Sequence, residues 1–184
     1  FLDISEDGRV VYSSENASRP LDLWVTDTSF SNRRKLTALN SQIEKISFGK
    51  AKLISFQSLE RQSLEGVLFL PSDYQEGKRY PLITFIYPEG NPIDMFNVFY
   101  NAGFHQVFTT HGYAFLVPNV WLPTGTDSSP ILDIPKSVLP AIDKVITMGI
   151  AAPQRLGIMG HSSGGYAVNA IITQTKLFQA AVSF

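Results

Sequence analysis

Two short apolar runs, Leu82-Ile83-Thr84-Phe85-Ile86-Tyr87 and Tyr113-Ala114-Phe115-Leu116-Val117-Pro118, constrain this chain more than any other feature. Each is nearly continuous rather than alternating. A strand of that kind is shielded on both faces, as in a parallel sheet covered by helices. Arg155-Leu156-Gly157-Ile158-Met159 reads as a third such strand and Ala180 to Phe184 as a fourth. Between them, Val138, Ile142, Val145 and Gly149 fall at helical spacing, with Leu139 and Ile146 widening the stripe. Ser137 is expected to cap that helix, which leaves Pro140 in its first turn, where proline is tolerated. Residues 92–110 are expected to be helical after a loop, and Tyr166 to Thr175 helical. Lys52 to Phe56 and Gly66 to Pro71 read as a strand pair, followed by a polar loop from Ser72 to Arg79. Strand and helix alternate, so residues 49–184 are expected to form an α/β domain with a parallel sheet.

Residues 1–48 have a different texture. Glu6-Asp7-Gly8 is a turn signal, and Arg9 to Ser13 and Asp22 to Thr26 alternate as strands do. Lys35-Leu36-Thr37 closes the pattern. This spacing suits an antiparallel meander too short to bury a core, and we read it as the last part of a larger β-array. The chain begins at Phe1, not Met, and stops inside the apolar run Ala180 to Phe184. It is expected to be an internal piece of a longer protein.

Composition narrows the function classes. Fifteen basic against sixteen acidic residues leave a net charge of −1, without the electrostatic footprint of a nucleic-acid binder. No polybasic run suggests a membrane surface, and no apolar run approaches the ~20 residues that span a bilayer. Cysteine is absent, which excludes a disulfide framework, a thiolate metal site and a cysteine nucleophile. No basic, apolar leader opens the chain, so the compartment stays open between cytoplasm and export. Asn16-Ala17-Ser18 matches a glycosylation acceptor and carries no weight without such a leader.

The residues that carry chemistry are Gly160-His161-Ser162-Ser163-Gly164. This G-x-S-x-G lies between an expected strand and an expected helix, the context of a nucleophile elbow. The sharp turn exposes the Ser162 hydroxyl. The helix that follows favours negative charge there, and the Ser163 amide supplies half of an oxyanion hole. A phosphate-binding loop would need G-x-x-x-x-G-K-[ST], and no Lys lies at that spacing. His161 should point away from Ser162, so packing or orienting the elbow is its expected role. The second oxyanion donor should come from the loop after the Leu82–Tyr87 strand. There Tyr87-Pro88-Glu89-Gly90 offers the Tyr87 hydroxyl, against the alternative of a plain core or rim tyrosine. Glu89 is expected to be a solvated loop acid rather than a binder of a substrate amine.

On these residues the chain resembles the prolyl oligopeptidase family of serine peptidases, with its dipeptidyl peptidase, acylaminoacyl peptidase and glutamyl endopeptidase branches. Leu23-Trp24-Val25 with Lys35-Leu36-Thr37 and Asn40 looks like the last blade of that family's β-propeller. Gly66 to Pro71 and Lys78 to Ile83 look like the entry to its α/β-hydrolase domain. Gly165 and Tyr166 extend the elbow match with a second glycine and an aromatic. The resemblance implies that Ser162 is the nucleophile, with Ser163 and Tyr87 as oxyanion donors. It implies a peptide substrate and no metal or cofactor. Many relatives carry His-Gly-Gly-Pro or Tyr-x-Gly-Pro where this chain has Tyr87-Pro88-Glu89-Gly90, which is closer to the glutamyl endopeptidase pattern.

An elbow serine needs an acid and then a His, in that chain order. Residues 163–184 contain no Asp, Glu or His. His105, His111, Asp127 and Asp133 all precede the elbow and fit no role in that order; the two acids are expected to cap loops. The chain by itself is therefore expected to hydrolyse nothing at a useful rate. Two other readings share the elbow. One is a carboxylic esterase of the α/β-hydrolase kind; the other is a non-catalytic interaction protein that keeps the fold.

Overall fold

The computed structural model describes residues 3–96, 98–99, 104–125 and 128–184. Four strands, β1 (Asp3–Ile4), β2 (Arg9–Asn16), β3 (Arg19–Asp27) and β4 (Arg34–Lys35), form an antiparallel sheet in sequence order. Asp22, 2% exposed, ties it together. Its carboxylate accepts hydrogen bonds from Thr37 Oγ1 at 2.8 Å and Leu39 N–H at 3.2 Å, and Lys35 Nζ lies at 2.7 Å. Val10 and Pro20 are the buried apolar side chains among the described residues of 1–48.

The second sheet holds β5 (Ala51–Gln57), β6 (Ser63–Phe69), β7 (Tyr80–Ile86), β8 (Ala114–Pro118), β9 (Ala151–Gly160) and β10 (Ala180–Ser183). Their spatial order is β10-β9-β7-β8-β6-β5. Three helices accompany them: α1 (Phe104–Thr110), α2 (Pro130–Thr147) and α3 (Ser163–Ile172). Of the segment expected to be helical over 92–110, the described residues form a short 3-10 turn at Pro92–Met95 and α1.

The sheet is mixed, which corrects the expectation of a parallel one. β7, β8, β9 and β10 are mutually parallel, while β6 runs against both β5 and β8. The reason lies in the connections. A parallel return needs a crossover of a dozen or more residues, usually a helix. β5 and β6 are joined by a tight turn over residues 58–62, in which Arg61 takes a positive φ of 59°. The polar segment 70–79 has no helix and joins the end of β6 directly to the start of β7, as antiparallel strands permit.

Both faces of the sheet are covered, as the continuous apolar runs require. Leu68, Leu82, Ile86, Leu116 and Ile158 face α2 and α3, packing on Ile134, Val138, Ile142, Val145, Val168 and Ile171. Their sequence neighbours Val67, Phe69, Phe85, Phe115, Val117 and Met159 form the opposite cluster. Period two thus divides each run between two cores. Fully burying one such aliphatic side chain stabilises by roughly 1.5–3 kcal/mol.

The helix α2 begins at Pro130, seven residues before the expected cap at Ser137, and both Pro135 and Pro140 lie inside it. A proline within a helix leaves the carbonyl four residues earlier without its donor. Here both orphans are taken up from outside. The Gln174 Nε2 donates to Ile131 O at 2.7 Å, and the Leu59 N–H donates to Lys136 O at 2.9 Å. Ser137 is buried mid-helix; it accepts from Trp121 N–H at 3.2 Å and donates to Trp121 O at 3.3 Å. The entry is capped by Asp133, which accepts from the Ser129 N–H at 2.8 Å. Its carboxyl is held below the usual range by the Lys136 hydrogen bond and then by the Ser129 amide.

Candidate active site

β9 ends at Gly160 and α3 starts at Ser163, so a two-residue turn joins strand to helix. Within it Ser162 has φ 56° and ψ −120°. A non-glycine residue in that region costs of order 1–3 kcal/mol and persists only where its surroundings over-determine it. They do. The Ser162 N–H donates to Phe184 O at 2.7 Å, and Gly164 N–H donates to His161 O at 2.8 Å. The glycines explain the tightness. A Cβ at Gly160 would lie 2.3 Å from Gly164 O, and one at Gly164 would lie 2.0 Å from Ile86 O. The first turn of α3 therefore sits directly on the end of β7. Ser162 is exposed, and its hydroxyl makes no hydrogen bond to the helix amides. The Ser163 N–H opens α3, where amides lack intrahelical acceptors.

The β7 strand ends beside this turn, with Ile86 paired to Gly160. Tyr87, immediately after it, is 41% exposed. The turn closes with Gly90 N–H donating to Tyr87 O at 3.0 Å. A Cβ at Gly90 would meet the Tyr87 ring at 3.1 Å, so this glycine lets the turn fold over the ring. Tyr87 and His161 line one cavity of about 670 Å³, together with Phe85, Met95, Val117 and Phe184. The His161 ring is exposed, with its centroid 5.3 Å from that of Phe184. Ser162, Ser163 and Tyr87 thus gather where the ends of β7 and β9 meet.

Glu89 is a loop acid open to solvent, and it has a partner besides. Although exposed, it accepts a hydrogen bond from the Ser163 Oγ, 74 residues away in sequence. Nothing in the local sequence signals that partner, because the contact exists only once β7 and β9 are neighbours.

The other sequence candidates stand elsewhere. His105 is 2% exposed and stacks on Phe69 with ring centroids 4.1 Å apart. Among the described residues neither of its ring nitrogens has a hydrogen-bond partner, and burial pushes its pKa down from 6.5 to about 4. The His111 Nδ1 lies 2.7 Å from Val107 O at the end of α1. Asp133 is the α2 cap, and Asp127 lies outside the described residues. Among the described residues no group of three or more His, Asp or Glu side chains is placed to hold a metal ion. No helix of the described residues is long and apolar enough to cross a membrane.

Comparison with known proteins bears on this arrangement. Residues 135–184 match the family model of the prolyl oligopeptidase family. No curated protein matches the sequence. Among solved structures, Pyrococcus horikoshii acylaminoacyl peptidase is similar with a TM-score of 0.74 and 27% identity. The match covers 98% of this chain and 30% of that one. An acylaminoacyl peptidase in complex with Z-Gly-Gly-Phe-chloromethyl ketone gives a TM-score of 0.74 and 27% identity, over 99% of this chain and 30% of that one. A Mycobacterium tuberculosis puromycin-hydrolyzing peptidase shares the fold, with a TM-score of 0.71 at 21% identity over 95% of this chain and 28% of that one. The chain spans about 30% of the length of the first of these relatives. Residues 135–184 thus match the model of the prolyl oligopeptidase family, and over nearly its whole length the chain is similar in fold to an acylaminoacyl peptidase.

Proposed function

We propose that this chain contributes the nucleophile and oxyanion hole of a serine peptidase. The observation that carries the reading is the exposed Ser162, strained at φ 56° between β9 and α3, with the Ser163 amide beside it. The strand order and the single reversed strand β6 support an α/β-hydrolase core over residues 49–184. Residues 1–48, a four-stranded antiparallel sheet with almost no core of its own, support the end of a β-propeller.

In this mechanism the Ser162 Oγ attacks a peptide carbonyl and forms a tetrahedral intermediate. The negative charge develops on the carbonyl oxygen, where the Ser163 N–H and the Tyr87 hydroxyl donate to it. Donors fixed in advance need no reorganisation as the charge appears, and losing one costs about 10²–10³-fold in rate. A His takes the serine proton and returns it to the leaving amine, leaving an acyl-enzyme on Ser162 that water then hydrolyses. That His and its orienting acid are not among residues 163–184, and we place them outside this chain.

The test is labelling of the natural full-length protein with a serine-directed fluorophosphonate, read beside turnover of a peptide substrate. Ser162→Ala is expected to remove the label and lower kcat at least about 10³-fold. Labelling that survives in Ser162→Ala overturns the reading.

A further inference from the structure

The segment between β7 and α1 starts at Tyr87 and supplies one wall of the cavity through Asn91, Pro92, Asp94 and Met95. Met95 and Phe96 seat its middle on the core beside Val67 and Phe69. Phe99 seats a later point by three separate contacts. Its N–H donates to Glu15 Oε2 at 3.0 Å, and its carbonyl accepts from Gln106 Nε2 at 2.7 Å. Its ring meets that of Phe48 edge to face, with centroids 5.4 Å apart. Gln106 belongs to α1, whereas Glu15 reaches in from the first sheet, 84 positions earlier in the chain. The β2–β3 hairpin has a local feature that frees this side chain. Ser14 pairs with Asp22 and Asn16 with Arg19, so Glu15 alone faces both Pro20 and Leu21. Such a bulge disrupts the ladder and re-aims a side chain. Pro20 has no N–H to give that ladder, and a bulge is where a sheet tolerates it.

We infer that Glu15 is a positioning residue for the substrate cavity: by holding Phe99, it fixes where the wall from Asn91 to Met95 stands relative to Ser162. This rests on the peptidase reading above. A carboxylate accepting a backbone amide makes a charge-assisted hydrogen bond, roughly twice as strong as a neutral one. The first sheet thereby shapes a site to which it gives no lining residue of its own. The wall touches the body of a bound substrate, not the bond that is cut. The turn that carries Tyr87 is closed separately, by the Gly90 N–H on Tyr87 O. Loss of the tether is therefore felt in substrate binding, while attack by Ser162 and donation by Tyr87 proceed as before.

The experiment measures kcat and KM for a peptide substrate on the natural full-length protein and on its Glu15→Ala and Glu15→Gln variants. Hydrogen exchange over residues 92–99, read by mass spectrometry, runs beside it. Glu15→Ala is expected to raise KM about fivefold or more with kcat within about twofold, the mark of lost uniform binding. It is also expected to speed exchange over residues 92–99 about threefold or more, as the loss of one hydrogen bond allows. Glu15→Gln keeps a side-chain carbonyl to accept the Phe99 N–H and is expected to restore both readings. Phe48→Leu loosens Phe99 without touching Glu15 and is expected to raise KM about twofold or more. A wild-type KM in Glu15→Ala overturns the inference, and so does a Glu15→Gln variant that behaves like the alanine one. A role confined to stability shows as a lower Tm at unchanged KM and overturns it too. If no peptide is cut and Ser162 takes no fluorophosphonate, the peptidase reading fails and the substrate role fails with it. That outcome is distinct from hydrolysis that depends on Ser162 but is indifferent to Glu15.

Discussion

At Ser162 the chain holds a backbone conformation that glycine would adopt without the Cβ penalty. Its φ of 56° stores strain, offset by the contacts of Gly160 and Gly164. Ser162→Gly should therefore stabilise this chain by roughly 1 kcal/mol, the relieved strain less the added chain entropy. The expected readout is a rise in Tm of about 2–4 °C, and a lower Tm would show that the turn is relaxed as it stands. His105 makes a second residue-scale case. In the unfolded chain it titrates near 6.5; in the fold it stays neutral until pH about 4. The folded state thus binds fewer protons between these values. Stability is full above pH 6.5 and falls as pH drops towards 4, by about 3 kcal/mol from this residue. His105→Phe should flatten that part of the profile in urea titrations at stepped pH; a slope that persists would assign it to other groups. The elbow was legible in the sequence because its spacing is local. The Glu89–Ser163 contact was not, since it joins residues 74 apart that only strand pairing brings together.

Elements show where periodicity misleads. The apolar stripe of α2 was plain from Val138 onward, but reading Ser137 as its cap, with Pro140 in the first turn, set the start seven residues late. No local rule reveals that Gln174 and the Leu59 amide receive the two carbonyls that the prolines strand. Gln174 and Pro135 are therefore energetically coupled. Gln174→Ala should cost about 1 kcal/mol, the ordinary worth of one hydrogen bond. In a Pro135→Ala background the new amide bonds Ile131 O itself, and the same change should cost much less. Additive losses in the double-mutant cycle would refute the compensation. The strands were read more easily than their directions. Leu82 to Tyr87 and Tyr113 to Pro118 announced two-sided burial, yet the reversal of β6 follows from connection lengths. A ten-residue polar segment with no helical pattern, 70–79, held that information.

For the whole molecule, stability resides in the second sheet and its two cores, while the first sheet buries little apolar surface beyond Val10 and Pro20. The site inherits its rigidity from the larger unit, because the ends of β7 and β9 are central strands flanked on both sides. The other flank of β9 bears on the same turn. β10 pairs with β9 through Ala180, Ala181, Val182 and Ser183, and Phe184, just after it, accepts the Ser162 N–H at 2.7 Å. In mechanical terms the turn at Ser162 is clamped along both edges of β9, by β7 on one side and β10 on the other.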